Sequence, residues 1–262
     1  MQSARALNSS FAAAIIWKDA VVAQESDPIF SDARLAALYD LFEGERDDLD
    51  AYVVMVDELG ADAVLDIGTG EFAVRLAAKG LKVTGLDPAV ASIGIARLKP
   101  HADRVDWVEG DVAALPDIEV DLVTMTANVA QVFIEDNDWY AVLGAAATVL
   151  APGGHLVFET RDPDQCAWAG WSPEASFQRA ADPNGSVVET WNEVTNVDLP
   201  LVTFHGTFRF ADGSTTVSAS TLRFRTRDEI ESGLDDAGFD VVDVRDAPDR
   251  PGREFVFIAR RR

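Results

Sequence analysis

Residues 64–87 read VLDIGTGEFAVRLAAKGLKVTGLD, and this stretch predicts a strand, a glycine turn, a helix and a second strand. The apolar residues of Glu71–Lys79 recur at the spacing of one helix face. Leu81–Leu86 forms the second predicted strand, and Asp87 follows at its carboxyl end. The stretch is therefore one βαβ unit of a parallel sheet.

The turn between the first strand and the helix indicates a nucleotide-like ligand. Gly68 and Gly70 carry no Cβ, so a ligand can approach the backbone closely there. The helix N-terminus that follows has free N–H groups, which favour acceptor or anionic groups. Asp87 stands 17 positions after Gly70, where an acidic residue can accept hydrogen bonds from a ribose diol. Two cofactor classes fit, a dinucleotide and S-adenosylmethionine.

Asp66 separates these two classes. Residues 68–73, GTGEFA, formally satisfy the dinucleotide pattern G-x-G-x-x-A. A carboxylate two positions before the first glycine would repel a pyrophosphate, but it suits a cofactor with an amino group and a sulfonium charge. Through Asp66, Gly68 and Gly70 the stretch resembles the first motif, D/E-x-G-x-G-x-G, of the class I S-adenosylmethionine-dependent methyltransferases. Phe72 departs from it, because it stands where the third glycine is expected.

The resemblance implies a set of cofactor-binding residues. Asp111 and Val112 follow the third predicted strand, where the family holds the adenine. Arg46 could face the methionine carboxylate or a substrate, or it forms a solvated ion pair with a nearby carboxylate. The full predicted set is Asp66, Gly68, Thr69, Gly70, Asp87, Pro88, Asp111, Val112, Asn128 and Arg46. Phe72 either crowds this cofactor or points into the contact between helix and sheet.

The resemblance also implies the fold class, an α/β protein with a doubly wound, mostly parallel seven-stranded sheet whose last strand is antiparallel. Residues 1–60 are predicted to form an N-terminal helical cap, with Ser31 as a candidate N-cap. Residues 61–162 and 226–262 form the predicted methyltransferase domain. Residues 163–225 alternate in polarity and predict a three-stranded antiparallel meander inserted in it. This insert would roof the active site, form a dimer contact, or do both.

Candidate catalytic residues lie where ligands bind in such folds, beyond the carboxyl ends of the strands. Asn128 and Gln131 follow the fourth predicted strand and could orient an acceptor, or they only cap the helix that follows. Asn137 or Asp138 is predicted to cap the next long helix. Arg161 follows the fifth strand and is the best candidate for a substrate contact. Tyr39 in the cap could face the substrate or lie in the core. No general base is identifiable, so catalysis would rest on proximity and orientation.

Composition limits the partners. The 262 residues carry 22 basic and 45 acidic side chains, a formal charge of −23, which disfavours nucleic-acid binding. No apolar run is long enough to span a bilayer. The single cysteine, Cys166, excludes an intrachain disulfide, and no Cys/His cluster suggests a metal site. We therefore expect a cytoplasmic enzyme that methylates an O, N or C nucleophile of a small molecule. This enzyme acts as a monomer or as a homodimer.

Three alternatives remain at this point. A methyltransferase with a macromolecular target is the first, and an insert that forms an open face rather than a lid would favour it. The other two are not methyltransferases. A non-catalytic cofactor-binding or interaction protein is one of them, since Phe72 could have spoiled the site. An NAD-dependent oxidoreductase is the other, and it is less favoured because the chain shows no second βαβ half.

Overall fold

A computed structural model describes residues 26–68, 70–182 and 184–262. The first 25 residues of the predicted N-terminal cap and the predicted cofactor residue Thr69 lie outside these ranges. The strands within the described ranges are, in chain order, β1 (Ala63–Ile67), β2 (Lys82–Asp87), β3 (Val105–Glu109), β4 (Val120–Met125), β5 (Leu150–Arg161), β6 (Gln178–Ala181), β7 (Val187–Asp198), β8 (Leu201–Phe210), β9 (Thr215–Arg223), β10 (Phe239–Asp246) and β11 (Glu254–Arg261). The α-helices there are α1 (Pro28–Ser31), α2 (Ala33–Glu43), α3 (Leu49–Leu59), α4 (Glu71–Ala78), α5 (Val90–Ala96), α6 (Asp136–Val149), α7 (Pro173–Ser176) and α8 (Arg227–Asp236).

Seven strands form the central sheet in the order β10-β11-β5-β4-β1-β2-β3. The pairs from β3 to β5 are parallel, whereas β11 is antiparallel to both β5 and β10. The predicted fold class, including the antiparallel last strand, is confirmed. Because β1 lies between β2 and β4, the carboxyl ends of all three open onto the same edge of the sheet.

Helices cover both faces of this sheet, as parallel strands require. On one face, α6 and α8 contribute Trp139, Leu143 and Leu234 to a cluster with the apolar residues of β4 and β5. On the other face, α3 and α4 contribute Tyr52 and Phe72 to a second cluster. The two faces explain why VDLVTM and LVF are nearly continuous apolar runs rather than alternating ones.

The insert forms a separate antiparallel sheet in the order β6-β7-β8-β9, so it has four strands and the prediction of three was wrong. The missed strand, β6, reads QRAA and carries no alternating apolar pattern. It forms because it pairs along β7, where Ala180 lies opposite Val188.

The N-terminal helices divide between two cores. Leu35 and Leu38 of α2 pack with Val188, Phe208 and Phe210 of the insert. The α3 helix packs against the central sheet instead. We call α1, α2 and the four-stranded sheet the roof, because they share this core and lie over the carboxyl edge of the central sheet.

Two helix starts differ from the prediction. The α2 helix is capped by Asp32, whose Oδ1 accepts from the backbone N–H of Arg34 at 2.8 Å, so Ser31 is not the cap. The N-cap of α6 is Glu135 and not Asn137 or Asp138. Asp32 caps α2 with its side chain, whereas Glu135 holds the N-cap position of α6 without a side-chain hydrogen bond. The shifts of one to three residues are the usual limit of locating helix ends from sequence.

Candidate active site

A cavity of about 200 Å³ lies between the carboxyl edge of the central sheet and the roof. Its floor comes from the ends of β1, β2 and β3, and the loop after β4 and the start of α6 form one wall. Six residues predicted from sequence line it, namely Tyr39, Gly68, Asp87, Pro88, Asp111 and Val112. The roof contributes Asp27, Phe30 and Thr221.

The backbone of the glycine turn has the conformation that its two glycines were expected to allow, with positive φ angles at both. Gly68 has φ +140°, its N–H donates to the carbonyl of Leu86 at 3.0 Å, and a Cβ there would lie 3.1 Å from Val129 Cγ2. Gly70 has φ +91°, and a Cβ there would lie 2.7 Å from Trp107 Cη2. Gly68 borders the cavity, whereas Gly70 lets the turn pass beneath Trp107.

Asp66 lies behind the turn rather than on the cavity surface. It is 2% exposed, and the Thr124 hydroxyl donates to its Oδ1 at 2.7 Å. Burial raises the pKa of Asp66 to about 6, while the hydrogen bonds from Thr124 and from the backbone of Ala73 act in the other direction. The carboxylate thereby ties β1 to β4 and to the first turn of α4, which shapes the glycine turn.

Two lining carboxylates each keep one oxygen free for a ligand. Asp87 accepts from the backbone N–H of Ala89 at 2.7 Å through Oδ1, and burial raises its pKa to about 6. Asp111 accepts from the backbone N–H of Ala113 at 2.9 Å, also through Oδ1. Neither Oδ2 atom has a hydrogen-bond partner within the described residues. Acceptors that follow two adjacent strands fit the ribose diol and the exocyclic amine of an adenosine group.

Phe72 does not enter the cavity. It is 2% exposed, and its ring packs edge-on against Tyr52 with centroids 6.3 Å apart. It belongs to the core between α4 and the central sheet. Of the two orientations expected from sequence, the helix–sheet contact is the observed one.

Asn128, Gln131 and Arg161 meet in a buried polar network beside the cavity and do not line it. Arg161 Nη1 donates to Gln131 Oε1 at 2.8 Å, and Arg161 Nε lies 3.6 Å from Glu254 Oε1. Asn128 Nδ2 donates to Glu254 Oε2 at 3.2 Å. The three predicted residues are therefore brought together, but behind the wall.

Glu159 completes this network on the side of the central sheet. The Tyr52 hydroxyl donates to Glu159 Oε2, and the backbone N–H of Asn128 donates to Oε1 at 3.2 Å. Burial raises the pKa of Glu159. Asn128 has φ +62°, so these contacts hold a backbone conformation that few side-chain-bearing residues adopt. The network consequently fixes Ala127 and Val129, which do line the cavity.

The two cap residues predicted for the site have different positions. Tyr39 lines the cavity, its ring lies 5.5 Å from that of Phe30, and burial raises its pKa. Arg46 pairs with Asp48 at 2.7 Å and lies outside the cavity, in a groove on the surface. A cofactor contact by Arg46 stays a prediction.

The sequence reasoning missed part of the cavity wall. Val132 and Phe133 follow the predicted site loop directly, and Asp138 and Ala141 are three apart on one face of α6. The sequence shows this helical spacing, so the common face of Asp138 and Ala141 could have been predicted. Asp27 stands before Pro28 at a helix start, a common N-cap pattern, but nothing local shows that this helix reaches the cavity.

All titratable carboxyl groups that line the cavity are aspartates, and its described lining contains no Lys, Arg or His. They are Asp27, Asp87, Asp111 and Asp138. Burial raises the pKa of Asp27 and of Asp138 as well. Within the described residues no group of three His, Cys, Asp or Glu side chains could hold a metal ion.

Fold and cavity together are those of an α/β protein whose carboxyl sheet edge offers acceptors that fit an adenosine-bearing cofactor. Residues 64–154 match the family model described as a methyltransferase domain. The chain is 26% identical over 246 residues to a cypemycin N-terminal methyltransferase from a Streptomyces species, covering 90% of this chain and 99% of the relative. It is 35% identical over 133 residues to the demethylmenaquinone methyltransferase of Thermus thermophilus, covering 48% of this chain and 59% of the relative.

Solved structures agree in fold. The CcbJ methyltransferase from Streptomyces caelestis superimposes with a TM-score of 0.70 at 20% identity, covering 87% of this chain and 96% of that one. The resemblance to the class I S-adenosylmethionine-dependent methyltransferases, which the first motif indicated, is confirmed by the family match over residues 64–154 and by the fold. The oxidoreductase alternative is set aside, and with Phe72 in the core the degenerate-site alternative loses its basis.

Proposed function

We propose that the protein transfers a methyl group from S-adenosylmethionine to an O, N or C nucleophile of a small molecule. The observation that carries this proposal is a cavity of about 200 Å³ beneath the roof, in which α2 and the four-stranded sheet share one core. A formal charge of −23 disfavours a nucleic-acid substrate. The names of the two relatives refer to an N-terminus and to a demethylmenaquinone, so they leave the acceptor atom open.

Within the cavity, we assign the cofactor to the floor. Asp87 would accept from the ribose hydroxyls and Asp111 from the adenine amine, with Val112 against the ring. When bound, S-adenosylmethionine supplies a methyl group on a sulfonium centre, and S-adenosylhomocysteine remains after transfer. The buried network of Asn128 and Glu159 holds the adjoining wall rigid. A fixed wall favours catalysis by proximity and orientation.

The setting of the enzyme is also a proposal. The described residues contain no helix long and apolar enough to cross a membrane. The single cysteine, Cys166, is free and exposed, which suits a reducing compartment such as the cytoplasm. A homodimer contact through the insert stays a prediction.

Titration calorimetry with S-adenosylmethionine and S-adenosylhomocysteine tests the cofactor assignment, with NAD as the negative control. Asp87→Ala should weaken binding of both sulfur ligands by roughly 1–3 kcal/mol, the range for a lost hydrogen bond to a charged group. Asp106→Ala is the matched control, because Asp106 is exposed on β3 and outside the cavity. Equal losses in both variants would contradict the assignment.

Formation of S-adenosylhomocysteine tests the substrate class. A panel of small amines, alcohols and phenols is compared with a transfer RNA and an unfolded protein. The proposal expects turnover in the small-molecule panel. Turnover confined to either macromolecule would contradict it.

A further inference from the structure

The proposed cofactor contacts leave two cavity carboxylates without a role, Asp27 and Asp138. Asp87 and Asp111 belong to the floor, and Asp138 lies in the first turn of α6, where burial and the charges of Glu135 and Asp111 raise its pKa. Asp27 lies in the roof, on a different element from the other three.

The position of Asp27 is fixed by the fold. Its carbonyl accepts from the backbone N–H groups of Phe30 at 2.9 Å and Ser31 at 3.1 Å, at the start of α1. The backbone N–H of Ile29 donates to Ser218 Oγ at 2.9 Å, which pins this turn to β9. Ser220 of the same strand faces the Asp27 carboxylate closely enough to lower its pKa, against the effect of burial. The turn that carries Asp27 is thus held against β9.

No positive charge compensates Asp27 within the described part of the chain. None of the ion pairs among the described residues includes Asp27, and burial raises the pKa of its carboxyl group while Ser220 acts in the other direction. A half-buried carboxylate without a counter-ion is energetically costly. A cationic ligand that reaches it would recover part of this cost.

The surfaces near Asp27 indicate the rest of the ligand. Phe30 lies in α1, which begins directly after the N-cap position of Asp27, and Val129, Val132 and Phe133 contribute apolar side chains to the cavity lining. The complementary molecule has an apolar body and one positively charged group.

We propose that the methyl acceptor is an amine whose ammonium group pairs with the carboxylate of Asp27. This inference rests on the proposed function and narrows its acceptor from an O, N or C nucleophile to nitrogen. An ammonium nitrogen has no free electron pair, so one proton must leave before the nitrogen can act as a nucleophile. The Asp27 carboxylate that holds the ammonium group accepts this proton.

Direct binding gives the first test, because it does not depend on turnover. Calorimetry on the full chain with S-adenosylhomocysteine present compares three pairs of probes that differ only in the charged group. They are cyclohexylamine and cyclohexanol, phenethylamine and phenethyl alcohol, and the methyl glycoside of an amino sugar with the same glycoside carrying a hydroxyl in place of the amino group. At neutral pH we expect at least one amine to bind about 10- to 100-fold more tightly than its alcohol, the range for a hydrogen bond to a charged group.

Asp27→Asn removes the charge and keeps the shape of the side chain. It should abolish the preference for the amine and leave affinity for S-adenosylhomocysteine unchanged. For an amine that the wild type methylates, it should lower kcat/KM about 10- to 100-fold. Asp198→Asn, an exposed position at the end of β7, is the control for a general loss of negative charge.

Three results would overturn the inference. The first is that no amine is preferred over its alcohol, and the second is that Asp198→Asn matches Asp27→Asn. The third is that Asp27→Asn weakens cofactor binding as strongly as amine binding, which would place Asp27 in the cofactor site. Methylation of alcohols with intact cofactor binding would refute only the proposal that the methyl acceptor is an amine. Absence of cofactor binding would refute the proposed function itself.

Discussion

Replacing Phe72 tests whether this residue supports the fold or obstructs the cofactor. Phe72 is 2% exposed and packs against Tyr52 in the core between α4 and the sheet. Truncating a buried phenylalanine to alanine costs about 3–5 kcal/mol, through lost burial and the cavity left behind. A domain of this kind has a free energy of unfolding of about 5–15 kcal/mol, so Phe72→Ala should remove a large fraction of it.

Urea denaturation followed by circular dichroism measures this loss. The midpoint should fall while the slope stays the same, as expected for a pure change in stability. Phe177→Ala is the control, because Phe177 is 50% exposed, and it should cost less than about 1 kcal/mol. Affinity for S-adenosylmethionine, measured on the folded fraction, should not increase.

The opposite pair of results would refute this reasoning. If Phe72→Ala unfolds within about 1 kcal/mol of the wild type and binds the cofactor about tenfold more tightly, Phe72 crowds the site. The degenerate-site alternative would then return.

Three further predictions concern pH, the glycine turn and the roof. Burial raises the pKa of Asp87 from 3.8 to about 6, so ionising its carboxyl group opposes folding as pH rises between these values. Without cofactor, Asp87→Asn should therefore gain about 2 kcal/mol of stability relative to wild type from pH 4 to 6, and a constant difference in urea denaturation would contradict this. Gly70→Ala would place a Cβ 2.7 Å from Trp107 at φ +91°, so we expect a loss of about 1–3 kcal/mol in stability by thermal unfolding, whereas a wild-type melting temperature would argue against the turn described here. Leu35→Ala should speed amide hydrogen exchange in α2 and in β7 and β8 together but not in β11, and exchange faster in α2 alone would show that the roof is not one unit.

The parts of the fold that follow from local pattern were predictable. The βαβ unit at Val64–Asp87 was readable because two glycines, a helical apolar spacing and a terminal carboxylate occur in one short stretch. The antiparallel last strand of the sheet could be predicted from the family resemblance. The β6 strand could not be predicted, because QRAA carries no strand pattern and forms a strand only by pairing with β7.

The site was predictable where it depends on strand ends and not where it depends on distant contacts. Asp87 and Asp111 follow strands β2 and β3, so their position at the carboxyl edge follows from the order of the elements. The hydrogen bond from Tyr52 to Glu159 joins residues 107 positions apart, and that from Asn128 to Glu254 joins residues 126 apart. No local pattern encodes such pairs, and the same holds for the contact of Asp27 with β9.

A crystal structure of the protein with S-adenosylhomocysteine tests the central claim most directly. The account predicts the adenosine group in the cavity beneath the roof, with ribose hydroxyls on Asp87, the adenine amine on Asp111, and Phe72 in the core away from the ligand. Ligand density outside this cavity, or in it without contact to either aspartate, would contradict the account.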